Sequence, residues 1–180
     1  MSGKIMMKKV ICYGLSLMLL TFYLFLLLSG IHPKVSLEYR MYYVDRTLAN
    51  WPGNGGLQYE PGEPLSFCMI SKDPYRVRRR GKGWGRLMPD GCRWSQERAD
   101  VYFTGMEQRE YTLEASLTGL AGDVLAVANQ KELGSLQINE DGAYTVRIPA
   151  DCIGDDGWLT LTLALQPYSS ETLLQRIVLY

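Results

Sequence analysis

Histidine is almost absent from this sequence, since the only one is His32, which directly follows a long apolar segment. A Ser-His-Asp triad needs a histidine beside its nucleophile, and histidine-rich zinc sites need several. Both kinds of site are therefore excluded from the polar part of the chain. The sequence also lacks a nucleophile elbow and a phosphate-cradling glycine loop. We expect a protein that is not an enzyme and that holds no cofactor and no metal.

Cysteine is scarce as well, with Cys12 in the apolar segment and Cys68, Cys92 and Cys152 after it. No Cys-x-x-Cys spacing is present, so a structural zinc site has almost no support. An oxidising compartment permits a disulfide, and we predict Cys68–Cys92 because both residues flank the same loop region. The alternative is that all of these cysteines are small buried apolar residues.

Acidic residues are missing from the first 31 positions, and residues 10–31 contain no charged side chain at all. As a helix that rises ~1.5 Å per residue, this segment reaches about 33 Å, enough to cross a hydrocarbon core of ~30 Å. A helix is required because backbone polar groups in lipid must pair within the segment. We predict one transmembrane helix, with a short terminus of residues 1–9 and a domain of residues 32–180 on opposite sides.

The orientation follows from Lys4, Lys8 and Lys9, which precede the apolar segment. Positive flanks stay in the cytoplasm, so we predict a cytoplasmic N-terminus and an extracytoplasmic domain, with the helix in the cytoplasmic membrane. A cleaved signal peptide is the alternative. We favour an uncleaved signal anchor because the apolar run exceeds the usual ~7–15 residues of a signal peptide. Leu28-Ser29-Gly30 also lacks a small residue at its first position.

The outer part carries a small negative charge. All 19 acidic residues lie beyond the apolar segment, as do 16 of the 19 basic ones, which leaves a net charge of about −3. A nucleic-acid-binding protein usually presents a strongly basic face, so we expect no nucleic-acid partner.

Short segments with a period of two, separated by turn residues, dominate the outer part. In residues 158–165 the leucines alternate with Trp158, Thr160 and Thr162. Such alternation is typical of strands with one buried face, and strands about ten residues apart indicate a β-sandwich. We predict a mainly β, jelly-roll-like sandwich after the single helix, although residues 124–133 also allow one or two helical turns. The predicted strands are residues 32–48, 65–71, 98–104, 110–118, 123–128, 134–138, 143–148, 158–165 and 173–180.

The order of motifs over residues 57–180 resembles a known accessory domain. An apolar strand leads into Gly83-Trp84, a turn and Arg93-Trp94-Ser95, and the strands YTVRIP and GWLTLTLAL follow. This resembles the carbohydrate-binding-module-like β-sandwich appended to bacterial envelope glycosyltransferases and phosphoglycerol transferases. In that family the turn often carries a glutamate, whereas Asp90 is the nearest carboxylate here. The family's transferase domain is absent from this sequence, so the resemblance implies glycan binding without catalysis.

Two tryptophans are therefore candidates for a sugar-stacking platform. An indole face suits the apolar C–H side of a pyranose ring, and charged side chains nearby could hydrogen-bond to hydroxyl groups or to an anionic substituent. The alternative, which we favour, is that both indoles cap the core of the sandwich. The predicted glycan-binding residues are Trp84, Arg86, Asp90, Arg93 and Trp94.

A run of cations precedes this region. Such a run contacts anionic polymer or lipid headgroups, meets an acidic partner protein, or forms a solvated loop face. The residues predicted to contact an anionic surface are Arg76, Arg78, Arg79, Arg80 and Lys82.

Two functions of different kinds are consistent with these features. The first is a membrane-anchored, non-catalytic accessory protein of cell-envelope polysaccharide synthesis, which binds a glycan or assists a glycan-assembling membrane enzyme. The second is a structural adaptor that docks another membrane protein and has no sugar site. A glycan site predicts an exposed tryptophan beside a groove, whereas an adaptor predicts an exposed apolar patch or an open strand edge.

Overall fold

The computed structural model describes residues 2–31, 35–69 and 79–180. Its first helix, α1, spans Ser2–Ile31. Within α1, the segment Ile11–Gly30 has a mean hydropathy of 2.2 and is long enough to cross a membrane, the only such helix in the described part of the chain. The residues Ser36–Tyr180 form a separate compact unit.

That unit is a β-sandwich, which confirms the predicted fold class. Its two sheets are antiparallel throughout. The strands are β1 (Leu65–Ser66), β2 (Trp84–Met88), β3 (Gly91–Trp94), β4 (Arg98–Phe103), β5 (Tyr111–Thr118), β6 (Asp123–Ala128), β7 (Lys131–Ser135), β8 (Gln137–Ile138), β9 (Tyr144–Ile148), β10 (Leu159–Gln166) and β11 (Leu173–Leu179).

The larger sheet has the strand order β2-β3-β11-β5-β9-β8, and the smaller sheet has the order β4-β10-β6-β7. Strand β11 organises the larger sheet because it pairs with β5 and also with both β3 and β1. Strand β3 pairs with the start of β11 at Leu173, and β1 pairs nearer its end at Ile177.

The core lies between the sheets, where the predicted alternation places apolar side chains. In β10 the four leucines from Leu159 to Leu165 are buried, whereas Thr160 and Thr162 lie on the opposite face. In β5, Tyr111, Leu113 and Ala115 are buried in the same way. Each fully buried leucine contributes roughly 1.5–3 kcal/mol, so these two faces supply much of the driving force for folding.

The predicted first strand, residues 32–48, is wrong where the structure describes it. Residues Leu37–Tyr39 form a short helix, α2, which continues as a π-helical turn, Arg40–Val44. The Ser36 hydroxyl accepts a hydrogen bond from the Tyr39 N–H, as an N-cap does. Glu38 and Met41 are the buried side chains, and this spacing of three fits one face of a helix rather than a strand.

Residues 83–95, which are rich in turn formers, form the β2–β3 hairpin. The turn lies at Pro89-Asp90, directly before Gly91 of β3, and proline, aspartate and glycine are favourable turn residues. The predicted strand 65–71 is limited to Leu65–Ser66 among the described residues. Residues 124–133 form strands joined by a turn at Asn129-Gln130, so the helical alternative is wrong there.

A second, smaller core covers the outer surface of β4. Met41, Leu48 and Leu57 pack there on Tyr102, whose side chain points away from the main core. Tyr42 and Trp158 pack against the edge of this cluster. The segment that contains α2 is therefore fixed to the sandwich by its own apolar contacts.

Candidate functional site

The two tryptophans of the predicted sugar platform form a cross-strand pair in the β2–β3 hairpin. Their ring centroids lie 4.7 Å apart, and Phe67 packs on Trp84 at 5.5 Å. Trp94 is 1% exposed. The Trp84 indole N–H donates to the Asp100 carbonyl at 2.6 Å. Trp94 thus belongs to the core, and Trp84 packs against it. This agrees with the alternative that both indoles cap the core. The predicted sugar-stacking platform of two indoles is therefore wrong, because Trp94 is not accessible to a sugar.

The charged residues predicted to join them lie elsewhere. Arg86, Asp90 and Arg93 are exposed on the hairpin. Successive side chains of a strand point to opposite faces, so Arg93 points away from the face that buries Trp94. The structure therefore does not bring the predicted glycan-binding residues together in one site.

The residues of the basic run do not share one environment. Arg76 and Arg78 lie outside the described residues. Arg79 is 4% exposed and Arg80 is 8% exposed. Arg79 Nη1 donates to the Leu57 carbonyl at 2.6 Å, and its Nη2 donates to the Gln58 carbonyl. The predicted anionic contact is therefore wrong for Arg79 and Arg80, whereas exposed Lys82 remains available for it.

The predicted disulfide is not formed, because Cys68 and Cys92 are both free thiols. Cys68 Sγ lies 3.8 Å from the Gln175 carbonyl oxygen, and Cys92 Sγ lies 3.0 Å from Arg80 Nη1. Burial raises the pKa of the Cys92 thiol, although Arg80 opposes the shift. A neutral, buried thiol is a poor nucleophile, so Cys92 acts as a core residue.

A groove that the sequence analysis did not identify lies on the outer face of the smaller sheet. It has a volume of about 600 Å³, which falls within the range of small-molecule sites. We call it the Trp158 groove. Its lining residues come from β4, β10, β6, β7 and the turns beside them: Arg98, Val127, Asn129, Gln130, Glu132, Trp158, Thr160 and Thr162.

The Trp158 indole forms one wall of this groove and is held on two sides. Its ring stacks on Tyr102, with centroids 5.4 Å apart and planes inclined by 25°. Its Nε1 donates to the Thr160 hydroxyl at 2.9 Å. The indole therefore keeps one orientation while it remains only partly buried.

Asn129 fixes the turn beneath that wall. Its Nδ2 donates to the carbonyls of Cys152 and Trp158, at 2.9 Å and 2.8 Å, and its Oδ1 accepts from the Thr160 N–H at 2.7 Å. Asn129 and Gln130 both have positive φ, 46° and 71°, as the central residues of a type I′ hairpin turn require. This turn leaves the Gln130 and Glu132 side chains exposed at the mouth of the groove.

The far side of the groove is polar. The Thr162 hydroxyl donates to Asp100 Oδ1 at 2.7 Å, and Arg98 is exposed next to them on β4. The groove thus combines a rigid aromatic wall with side chains that donate hydrogen bonds and side chains that accept them. In the described part of the chain, no group of three or more histidine, cysteine or acidic residues could hold a metal ion.

The sequence contained one signal for this groove. The face of residues 158–165 that opposes the leucines carries Trp158, Thr160 and Thr162, an aromatic residue followed by hydroxyls. The contributions of Asn129 and Arg98 depend on strand pairing and could not be read from this pattern.

No protein-family model matches the chain, and no curated protein or solved structure matches it significantly.

Proposed function

We propose that this chain is a membrane-anchored, non-catalytic accessory protein of bacterial cell-envelope polysaccharide synthesis, which binds a glycan in the Trp158 groove. The observation that carries the proposal is the partly exposed Trp158 indole, held against Tyr102 along a groove of about 600 Å³. An aromatic face suits the apolar side of a sugar ring, and a few placed polar groups fix the orientation of a ligand.

The polar side chains that line the groove favour a sugar over an apolar ligand. Arg98 and Gln130 offer N–H donors, and Glu132 offers acceptors, at separate positions along the groove. Hydroxyl groups of a sugar are both donors and acceptors, so these side chains can form hydrogen bonds with several of them.

The same residues support binding without hydrolysis. Most glycosidases use two carboxyl groups on either side of the scissile bond, about 5–9.5 Å apart. Among the residues that line the Trp158 groove, Glu132 is the only one with a carboxylate. We therefore assign the groove to recognition and not to bond cleavage.

The position in the cell is part of the proposal. The helix α1 would anchor the chain in the cytoplasmic membrane, with the lysines that precede its apolar segment inside and the sandwich outside. A glycan-binding domain held there could present a growing envelope polysaccharide to a membrane enzyme that assembles it.

Isothermal titration calorimetry with the full chain in nanodiscs tests the site. The ligands are oligosaccharide fragments of bacterial envelope polysaccharides. We expect saturable binding that Trp158→Ala weakens by about tenfold or more, since loss of an aromatic contact worth ~1.4 kcal/mol changes the Kd tenfold. Gln130→Ala should weaken binding less, because other polar groups surround the ligand.

Trp51→Phe is the matched control, because Trp51 does not line the groove. Near-UV circular dichroism checks that each variant stays folded. Unchanged affinity in a folded Trp158→Ala variant would move the glycan site away from this groove. Absence of binding across the whole panel would contradict the glycan function.

A second candidate, the adaptor, is favoured by one observation at the edge of the larger sheet. The short strand β8 forms that edge, and Ile138 on it is exposed. An open strand edge with an exposed apolar residue can accept a strand from another protein. Co-purification of a membrane protein that Ile138→Lys abolishes, together with no glycan binding, would favour the adaptor.

A further inference from the structure

Four aromatic side chains gather directly after the apolar helix in the sequence. We call Tyr39, Tyr42, Tyr43 and Trp51 the aromatic cluster. Trp51 is its centre, with ring centroids 6.4, 5.9 and 5.5 Å from those of Tyr39, Tyr42 and Tyr43. Tyr39 and Tyr43 also contact each other, at 4.7 Å.

The aromatic cluster has a rigid support on the sandwich. Tyr42 packs on the small core of Met41, Leu48, Leu57 and Tyr102. The buried carboxylate of Glu38 accepts a hydrogen bond from the Gly55 N–H at 3.0 Å, which joins α2 to the loop beyond Trp51. The cluster therefore moves with the domain and not as a loose linker.

One side of the cluster is open to solvent. Tyr39 and Tyr43 are exposed, and the neighbouring Leu37 and Val44 are exposed as well. Contiguous exposed apolar surface marks an interaction site on a soluble domain. All four of these exposed residues lie within α2 and the π-helical turn that follows it.

The chain itself limits what this surface can meet. Tyr39 lies eight residues after the end of α1, and eight residues span at most about 28 Å when fully extended. Tyrosine and tryptophan are the residues enriched where a membrane meets water, because each has an apolar ring and a polar tip. The exposed Arg46 nearby can contact lipid phosphate groups.

We propose that the aromatic cluster docks on the lipid headgroup region of the same membrane that α1 anchors. The proposal depends on the anchor in the proposed function but not on the glycan site. Docking would hold the sandwich at a fixed height and orientation above the bilayer, so that the Trp158 groove faces a defined direction.

The positions of the tryptophans provide a direct test. All four, Trp51, Trp84, Trp94 and Trp158, lie beyond the apolar segment, so quenching by brominated lipids reports contact of the domain with the bilayer. The full chain is reconstituted in vesicles of phosphatidylethanolamine and phosphatidylglycerol with bromines at a shallow acyl position. We expect quenching in the unchanged protein, loss of most of it in Trp51→Phe, and no loss in the matched control Trp84→Phe, whose indole lies in the β2–β3 hairpin.

A second pair of variants tests the surface without removing a tryptophan. Tyr43 and Tyr180 are about equally exposed, at 53% and 55%, but only Tyr43 belongs to the aromatic cluster. Tyr43→Asp should reduce the quenching, because the anionic phosphatidylglycerol headgroups repel a carboxylate. Tyr180→Asp should leave the quenching unchanged.

The outcomes separate the two proposals. Protein that floats with the vesicles but shows no quenching, or quenching that survives Trp51→Phe, overturns the lipid contact and points to a protein partner for the cluster. Protein that does not float overturns the anchor and the lipid contact together. Neither result affects glycan binding at Trp158, which is measured separately.

Discussion

Arg80 donates a hydrogen bond from its Nη1 to the Cys92 sulfur at 3.0 Å, inside the sandwich. The same nitrogen lies 3.1 Å from the Gly85 carbonyl oxygen. One cation of the basic run thus joins the start of β2 to β3 from within. A residue that looked like part of a charged surface has a structural role.

Removal of this arginine should destabilise the domain. Arg80→Ala leaves a cavity and deprives the Gly85 carbonyl of its donor, so we expect a loss of about 2–4 kcal/mol. Lys82→Ala is the control, because an exposed side chain usually contributes less than about 0.5 kcal/mol. Urea unfolding measures both variants. Equal stability of the two would contradict the structural role of Arg80.

The Trp84–Trp94 pair predicts a large difference between neighbouring positions. Trp94→Ala removes a fully buried indole and should cost about 3–5 kcal/mol. Arg93→Ala, one residue earlier but exposed, should have little effect. The measurement is thermal unfolding followed by near-UV circular dichroism. A Trp94→Ala variant as stable as the unchanged protein would mean that this indole is not in the core.

Two glycines with similar backbone conformations allow the cost of backbone strain to be distinguished from the cost of steric crowding around an added Cβ. Gly83 has φ of 84° and Gly134 has φ of 97°, so alanine is strained at both, by roughly 1–2 kcal/mol. A Cβ at Gly83 would also lie 1.8 Å from the Arg98 carbonyl oxygen, whereas a Cβ at Gly134 meets nothing within 4 Å. We expect Gly83→Ala to be clearly less stable than Gly134→Ala in urea unfolding, and the reverse order would contradict the close approach.

Alkaline pH should destabilise the domain through Tyr102. Burial, and secondly the Asp100 charge, raise the pKa of Tyr102 to about 12, compared with about 10 in an unfolded chain. The folded state therefore binds this proton more tightly. The resulting stability is complete below about pH 10 and is lost as the pH rises towards 12.

Tyr102→Phe should flatten this dependence between pH 10 and 12, because phenylalanine has no proton to lose. The free energy of unfolding, measured in urea at several pH values, checks this. Tyr180→Phe is the control, since Tyr180 is exposed. An equally steep fall of stability in Tyr102→Phe would assign the alkaline loss to other groups.

Much of the sandwich could be predicted because its strands have one buried face. The segments 110–118, 123–128 and 158–165 each became a strand whose bounds differ from the prediction by at most one residue at either end. In β10 the leucines face the core and the threonines face the other side of the sheet, so the alternation in the sequence shows which face is buried.

The predictions failed where distant contacts determined the local structure. Residues 35–43 have strand-like alternation, but the burial of Met41 on Tyr102 and the Glu38–Gly55 hydrogen bond favour a helix. The turn residues of the segment 83–95 concealed the β2–β3 hairpin that pairs Trp84 with Trp94. The burial of Arg79 depends on carbonyls 21 and 22 positions away, which no local pattern shows.

The pairing of β11 with β1, β3 and β5 also has a consequence for how the molecule is made. These three strands lack their common neighbour until the ribosome has added Leu173–Leu179, whereas α1 is complete once Ile31 has been added. At about 5–20 residues per second, the interval is on the order of ten seconds. The apolar helix is therefore complete well before the larger sheet can close, and the sandwich can finish folding only when nearly the whole chain has been made.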